Sequence, residues 1–169
     1  DDRARALYAD MGAVPVINAL GNMTMLGGSS PSPAVLRAME LASRYYVDMD
    51  ALLGSTGKIV SGLLGCEAAL VTPGCAAALL LGTAACVTGT DPERMAQLPD
   101  TSGMRGDVVI QGPQRYKYDR VVRMAGVRLV AAGTAAACSR ADLAAALGAS
   151  TAAVLYPAVA EPRGYLSLE

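Results

Sequence analysis

Ala68-Ala-Leu-Val-Thr-Pro-Gly-Cys-Ala-Ala-Ala-Leu-Leu-Leu81 decides the reading of this chain. The apolar residues Ala68 to Val71 predict a buried strand, Thr72 to Cys75 a tight turn, and the Ala/Leu run from about Ala76 a helix. Pro73 removes one backbone donor, and Gly74 lets the chain turn with no Cβ in the way. The amides of Gly74, Cys75 and Ala76 then stand unpaired at a helix N-terminus, where the helix dipole also favours negative charge. Such a turn is a phosphate cup made of backbone alone. Any strand-turn-helix of an α/β protein contains one, so its meaning depends on the rest of the chain.

Upstream, residues 3 to 10 predict a short polar helix. Val14-Pro-Val-Ile-Asn-Ala19 predicts an edge strand or extended arm, because Pro15 cannot donate to a ladder. A Gly- and Ser-rich loop follows from Gly21 to Pro33. Ser32 is placed to cap a helix with Pro33 in its first turn, running to about Tyr45. A further helix covers about Asp50 to Leu64 and stops at Gly65.

Downstream, Asp91-Pro92 caps a short helix in the polar insertion Thr88 to Gly106. Asp107 to Gln111 predicts a second buried strand, Tyr116 to Ala125 a helix, and Val127 to Ala131 a third strand. Ser139-Arg-Ala-Asp142 is a capping box opening a helix to Leu147, and Ala152 to Tyr156 is a fourth strand. Strands alternating with helices at this spacing give an α/β fold with a mostly parallel sheet flanked by helices.

The 169 residues carry a net charge of −1 with 17% charged side chains, so there is no basic field for nucleic acid or an anionic membrane. Histidine is absent, and acid–base chemistry must use carboxylates, Tyr, Lys, Cys or a cofactor. The four cysteines, Cys66, Cys75, Cys86 and Cys138, lack CxxC spacing and read as small buried thiols in a reducing cytoplasm, with no metal site. No secretory leader opens the chain, which reads as cut at both ends. The uncharged run from 68 to 90 is long enough for a membrane span, but Pro73-Gly74 splits it.

Gly54-Ser-Thr-Gly-Lys58 imitates a phosphate loop and an S-x-x-K motif. Leu52 and Ile59 break the first pattern, and the second lacks its partner motifs, leaving a helix with a solvated lysine. No GxGxxG occurs. Asp48 and Asp50 look like a carboxylate pair, but Asp50 at a helix start is the plainer account. Gln111-Gly-Pro-Gln-Arg-Tyr-Lys-Tyr-Asp119 follows the second strand at its C-terminal end, where open α/β sheets bind ligands. It reads equally as a ligand loop or as a polar connection.

Together the pieces resemble the selenocysteine synthase-like branch of fold-type-I pyridoxal-phosphate enzymes, the branch that includes D-glucosaminate phosphate ammonia-lyase. The stretches carrying the resemblance are Pro15–Gly21, Thr24–Gly28, Leu64–Val71, Gly74–Ala78, Leu98–Met104, Tyr118-Asp119 with Ala125-Gly126, and Gly164–Glu169. The Leu98 to Met104 insertion looks more like the ammonia-lyase side of the family. The resemblance implies the N-terminal part of an aspartate aminotransferase-like large domain, with residues 1–49 as an arm and helix and 50–169 as a partial cofactor domain. It implies pyridoxal 5'-phosphate held by Gly74, Cys75, Ala76 and Gln114, the last where relatives often carry a histidine stacked on the ring. It implies substrate-side contacts from Asn18, Thr24 and Arg115, an amino acid or amino sugar acid as substrate, and assembly as a homodimer or larger.

The same resemblance puts the cofactor's Schiff-base lysine and its pyridine-nitrogen Asp beyond Glu169. Lys58 and Lys117, the only lysines, match neither position. No catalytic residue is therefore assigned. A non-catalytic or split-enzyme subunit of the same fold stays open, as does a phosphometabolite-binding α/β module that uses the cup without the cofactor.

Overall fold

The computed structural model describes residues 2–158 and 166–167. The chain divides into two compact units, Asp1–Ile59 and Val60–Glu169.

The first unit contains helix α1 (Asp2–Asp10), helix α2 (Pro33–Ala42) and most of helix α3 (Met49–Leu64). Ser32 caps α2, its hydroxyl accepting from the Val35 amide at 3.4 Å. The helix ends earlier than expected because the amides of Arg44 and Tyr45 tighten onto carbonyls three residues back, at 3.3 and 3.2 Å. Asp48, rather than Asp50, caps α3: its carboxylate accepts from the Ala51 amide at 2.9 Å. Asp50 sits in the first turn, where its charge complements the dipole. Gly54 to Lys58 is helical throughout, as the solvated-lysine reading required. Val14 to Ala19 forms no strand, and Ile17 is 99% exposed.

The second unit is built on a three-stranded parallel sheet in the order β2 (Arg128–Ala132), β1 (Asp107–Gln111), β3 (Thr151–Leu155). β1 is central and buried along its whole length. Its alternation assigns the two faces. Val108 and Ile110 join Val87, Val122, Val127 and Leu129 in one core cluster, while Val109 joins Ala132 and Cys138 in the other. Helix α4 (Cys75–Thr88) packs on β3, on the short helix α5 (Pro92–Gln97) and on a 3-10 helix, Asp119–Ala125. Helix α6 (Arg140–Ala146), opened by the expected Ser139/Asp142 capping box, covers β2.

Three expectations need correction. Ala68 to Val71 is not a strand: it pairs with none of the described strands, and Leu70 and Val71 stay exposed, because apolar residues become a strand only beside a partner backbone. Tyr116 to Ala125 is not an α-helix. The Asp119 carboxylate accepts from the Tyr116 amide at 3.3 Å, which holds residues 116–118 in a turn, and the 3-10 helix begins only at Asp119. Of the cysteines only Cys138 is buried; burial, with Asp142 nearby, pushes its thiol up. Among the described residues no cluster could hold a metal ion, and no helix is long and apolar enough to cross a membrane.

At the N-terminal edge of β1, the Asp107 carboxylate accepts from Arg128 at 2.8 and 2.7 Å and from the Ser150 hydroxyl at 2.6 Å. It therefore ties all three strand starts together. Arg128 first and Ser150 second hold the Asp107 carboxyl down to about 2. A depressed carboxylate stabilises the fold fully above its unfolded value, and that stabilisation drains as pH falls from about 4 to about 2. It amounts to about 2 kcal/mol. Urea unfolding of Asp107→Asn is expected to show that loss at pH 7 and almost none at pH 2.

Candidate functional site

The last turn of α4, Cys86 to Gly89, shares a cleft of about 530 Å³ with Gly103 to Arg105, just ahead of β1. The first turn of α4 therefore lies at the opposite end, where β1 finishes. That turn is open. Gly74 occupies the N-cap at φ 149° and ψ 174°, which only glycine adopts without strain, and no side chain caps it. The first helical rung is the Ala78 amide to the Gly74 carbonyl at 3.0 Å. The amides of Gly74, Cys75 and Ala76 meet no acceptor among the described residues, and no acidic side chain lies in the first turn.

Beyond Gln111 the chain enters a 3-10 turn, Gly112–Gln114. Gln114 is 0% exposed, and neither its amide nitrogen nor its carbonyl oxygen has a hydrogen-bond partner among the described residues. A buried, unpaired carboxamide is costly, and native proteins seldom keep one without a use. Arg115 donates from Nε to the buried Asp119 carboxylate, which fixes the guanidinium's direction. Tyr116 follows, its ring edge-on to Tyr118 at 6.1 Å, with Lys117 Nζ over the Tyr118 ring at 4.7 Å. Burial pushes the Tyr116 phenol above its ordinary value, and its neighbours Cys75 and Asp119 add to this. The phenol is thus a proton-bearing donor at neutral pH. Cys75, in the first turn of α4, lies within electrostatic range of that phenol.

Within the second unit, Gly74, Cys75 and Ala76 open α4, and the loop that carries Gln114 and Arg115 follows β1. Asn18 and Thr24 belong to the first unit. Asn18 closes a local turn, donating to the Gly21 carbonyl at 2.7 Å and accepting from the Leu20 amide at 2.9 Å. Thr24 opens a 3-10 turn, Thr24–Leu26. Sequence reasoning missed Gln111, which is buried and bonded through its side chain to Leu166. The available signal was a polar residue ending an otherwise apolar strand.

The fold has a counterpart among solved proteins. A structure of D-glucosaminate-6-phosphate ammonia-lyase superposes with a TM-score of 0.89 at 35% identity, over 95% of this chain and 45% of that one. The likeness is to an ammonia lyase. In sequence, D-glucosaminate-6-phosphate ammonia lyase of Salmonella typhimurium (strain 14028s / SGSC 2262) is 36% identical over 154 residues, 89% of this chain. A 5'-C-glycyluridine monooxygenase-decarboxylase of a Streptomyces species is 35% identical over 154 residues, 88% of this chain. The chain spans 42% of the length of the ammonia lyase and 39% of that of the decarboxylase. Both relatives are enzymes by name. No known protein-family model matches the sequence. The resemblance carried by the motifs, on its ammonia-lyase side, and the parallel α/β fold are therefore both shown.

Proposed function

We propose that the chain is the N-terminal portion of a pyridoxal 5'-phosphate-dependent lyase or transferase acting on an amino acid or amino sugar acid. The observation that carries this is the open first turn of α4, three main-chain donors with no acceptor and no competing carboxylate. The residues present suit the cofactor. Gly74, Cys75 and Ala76 would hold its phosphate, and Gln114, which the family resemblance puts at its ring, would offer a carboxamide without a partner among the described residues. Bound there, the cofactor would supply an electron sink for charge developing beside the substrate's amine.

This chain's own residues bind and orient. Tyr116 keeps its proton on the phenol oxygen and can donate beside the phosphate cup. Arg115, steadied by Asp119, has guanidinium donors left for an anionic substrate group. Asn18 and Thr24 are proposed as substrate-side contacts and a homodimer as the working assembly, both from the family resemblance. The two relatives are named for different reactions, an ammonia lyase and a monooxygenase-decarboxylase, which leaves the class at lyase or transferase. A second reading, a non-catalytic or split-enzyme subunit of the same fold, is favoured by one observation. Lys117 rests on the Tyr118 ring, in no motif that resembles the family's lysine.

Titration of the purified protein with pyridoxal 5'-phosphate, pyridoxal and inorganic phosphate tests the proposal. Two charge-assisted hydrogen bonds to the phosphate, at about 1.5 kcal/mol each, predict a roughly hundredfold preference for the phosphorylated form. Inorganic phosphate should compete with it. Equal binding of pyridoxal with and without phosphate removes the cup. Inorganic phosphate binding as well as the cofactor points to the phosphometabolite module instead.

A further inference from the structure

β1 can pair through its main chain only as far as Gln111. Its register with β2 ends at Gln111 and Ala132, its register with β3 ends one rung earlier at Ile110 and Leu155, and at Gly112 the backbone leaves strand geometry. The ladder nevertheless gains one more rung, from a side chain. The Gln111 carboxamide donates from Nε2 to the Leu166 carbonyl at 3.0 Å and accepts through Oε1 from the Leu166 amide at 2.8 Å. A carboxamide has the donor and acceptor of a peptide group, so Leu166 meets it as it would meet a neighbouring strand. The group is buried, Gln111 being 3% exposed, so both bonds are shielded from water. Three residues further on stands Gln114, equally buried, with neither side-chain amide atom partnered among the described residues.

We propose that Gln111 is a positioning residue of the ligand site: it holds the Leu166–Ser167 segment at the C-terminal end of β1 as a wall of the corner that contains Gln114. This rests on the reading of that corner as the cofactor site. Two carboxamides one turn apart then have opposite tasks. Gln111 is saturated by the protein and fixes a wall, whereas Gln114 is left for the ligand. Glutamate cannot replace Gln111, because an ionised carboxylate accepts from the Leu166 amide but faces the Leu166 carbonyl with no proton to donate.

Gln111→Leu and Gln111→Glu separate this role from a merely structural one. Amide hydrogen exchange at Leu166 is the direct readout. It should quicken at least about tenfold in Gln111→Leu, the equivalent of one lost hydrogen bond, and less in Gln111→Glu. Pyridoxal 5'-phosphate affinity should fall about tenfold in both, while inorganic phosphate, which needs only the first turn of α4, should bind as before. Gln111→Asn, which keeps the amide but not its reach, should behave as Gln111→Leu does if it folds better. Faster exchange at Leu166 with unchanged cofactor affinity overturns the proposal and leaves the cofactor reading standing. Unchanged exchange overturns the clamp itself. A wild-type protein that binds no pyridoxal 5'-phosphate sinks the cofactor reading, and the wall with it.

Discussion

Gly126→Ala is expected to lower the stability of the second unit by about 2–5 kcal/mol, enough to unfold a marginal domain. Two independent effects add. Gly126 has φ +86°, a left-handed conformation that ends the 3-10 helix Asp119–Ala125 and costs a residue with a Cβ about 1–2 kcal/mol. A Cβ there would also stand 1.7 Å from the Pro99 carbonyl oxygen, inside the insertion that follows α5. That neighbour is main chain, so no rotamer change relieves the overlap, and shifting it costs a further 1–3 kcal/mol or so. The insertion is also tied to the same spot by the Thr101 hydroxyl, which donates to the Gly126 carbonyl at 3.2 Å. Thermal or urea unfolding of the variant reads the loss directly. A variant within about 1 kcal/mol of the parent would mean that the insertion does not rest on Gly126.

The same contact shows how far the sequence could be read. Leu98–Met104 and Ala125-Gly126 stood out separately as stretches carrying the family resemblance. Nothing in either revealed that one is the seat of the other, because the pairing joins residues about 25 apart through main-chain packing and one hydrogen bond. Elements with their own local signals were legible. Ser139 to Asp142, Asp91-Pro92 and Ser32-Pro33 each begin the helix that their capping chemistry announces. The apolar run of β1 was legible for the same reason. Ala68 to Val71 had equal apolarity and failed, since strand identity belongs to a pair of segments and this one has no partner among the described strands.

At the site, the turn around Gly74 could be read because Pro and Gly constrain the backbone wherever they occur. The roles of the two glutamines could not. Gln111 and Gln114 are the same side chain at positions three apart, one saturated by Leu166 and one without a partner among the described residues. Only the position of Leu166 separates them, and it has no signature in residues 111 to 114. Likewise Asp119 reads as a helix-start residue from its position, yet it takes the Arg115 guanidinium and the Tyr116 amide, both reached from a turn that an α-helix would have removed.

Gly112→Ala is expected to damage both the fold and the proposed site, by about 3 kcal/mol of stability and with loss of the proposed cofactor binding. A Cβ on Gly112 would fall 2.1 Å from the Thr134 carbonyl oxygen and 3.2 Å from that of Ala132, both main-chain atoms at the end of β2. The central strand must pass this close to its neighbour because the next three residues turn away as the 3-10 segment that buries Gln114. Relief by moving β2 would break the Gln111–Ala132 rung. Relief by moving the turn would displace Gln114 and loosen Gln111 from Leu166. The two routes have different readouts. If β2 gives way, stability falls while exchange at Leu166 stays slow; if the turn gives way, Leu166 exchanges quickly and pyridoxal 5'-phosphate binding is lost even where the protein remains folded. We expect the second, because the sheet is hydrogen-bonded on both sides of β1 and the turn is held by fewer bonds. A folded Gly112→Ala protein with unaltered cofactor affinity would detach the Gly112–Gln114 turn from the site altogether.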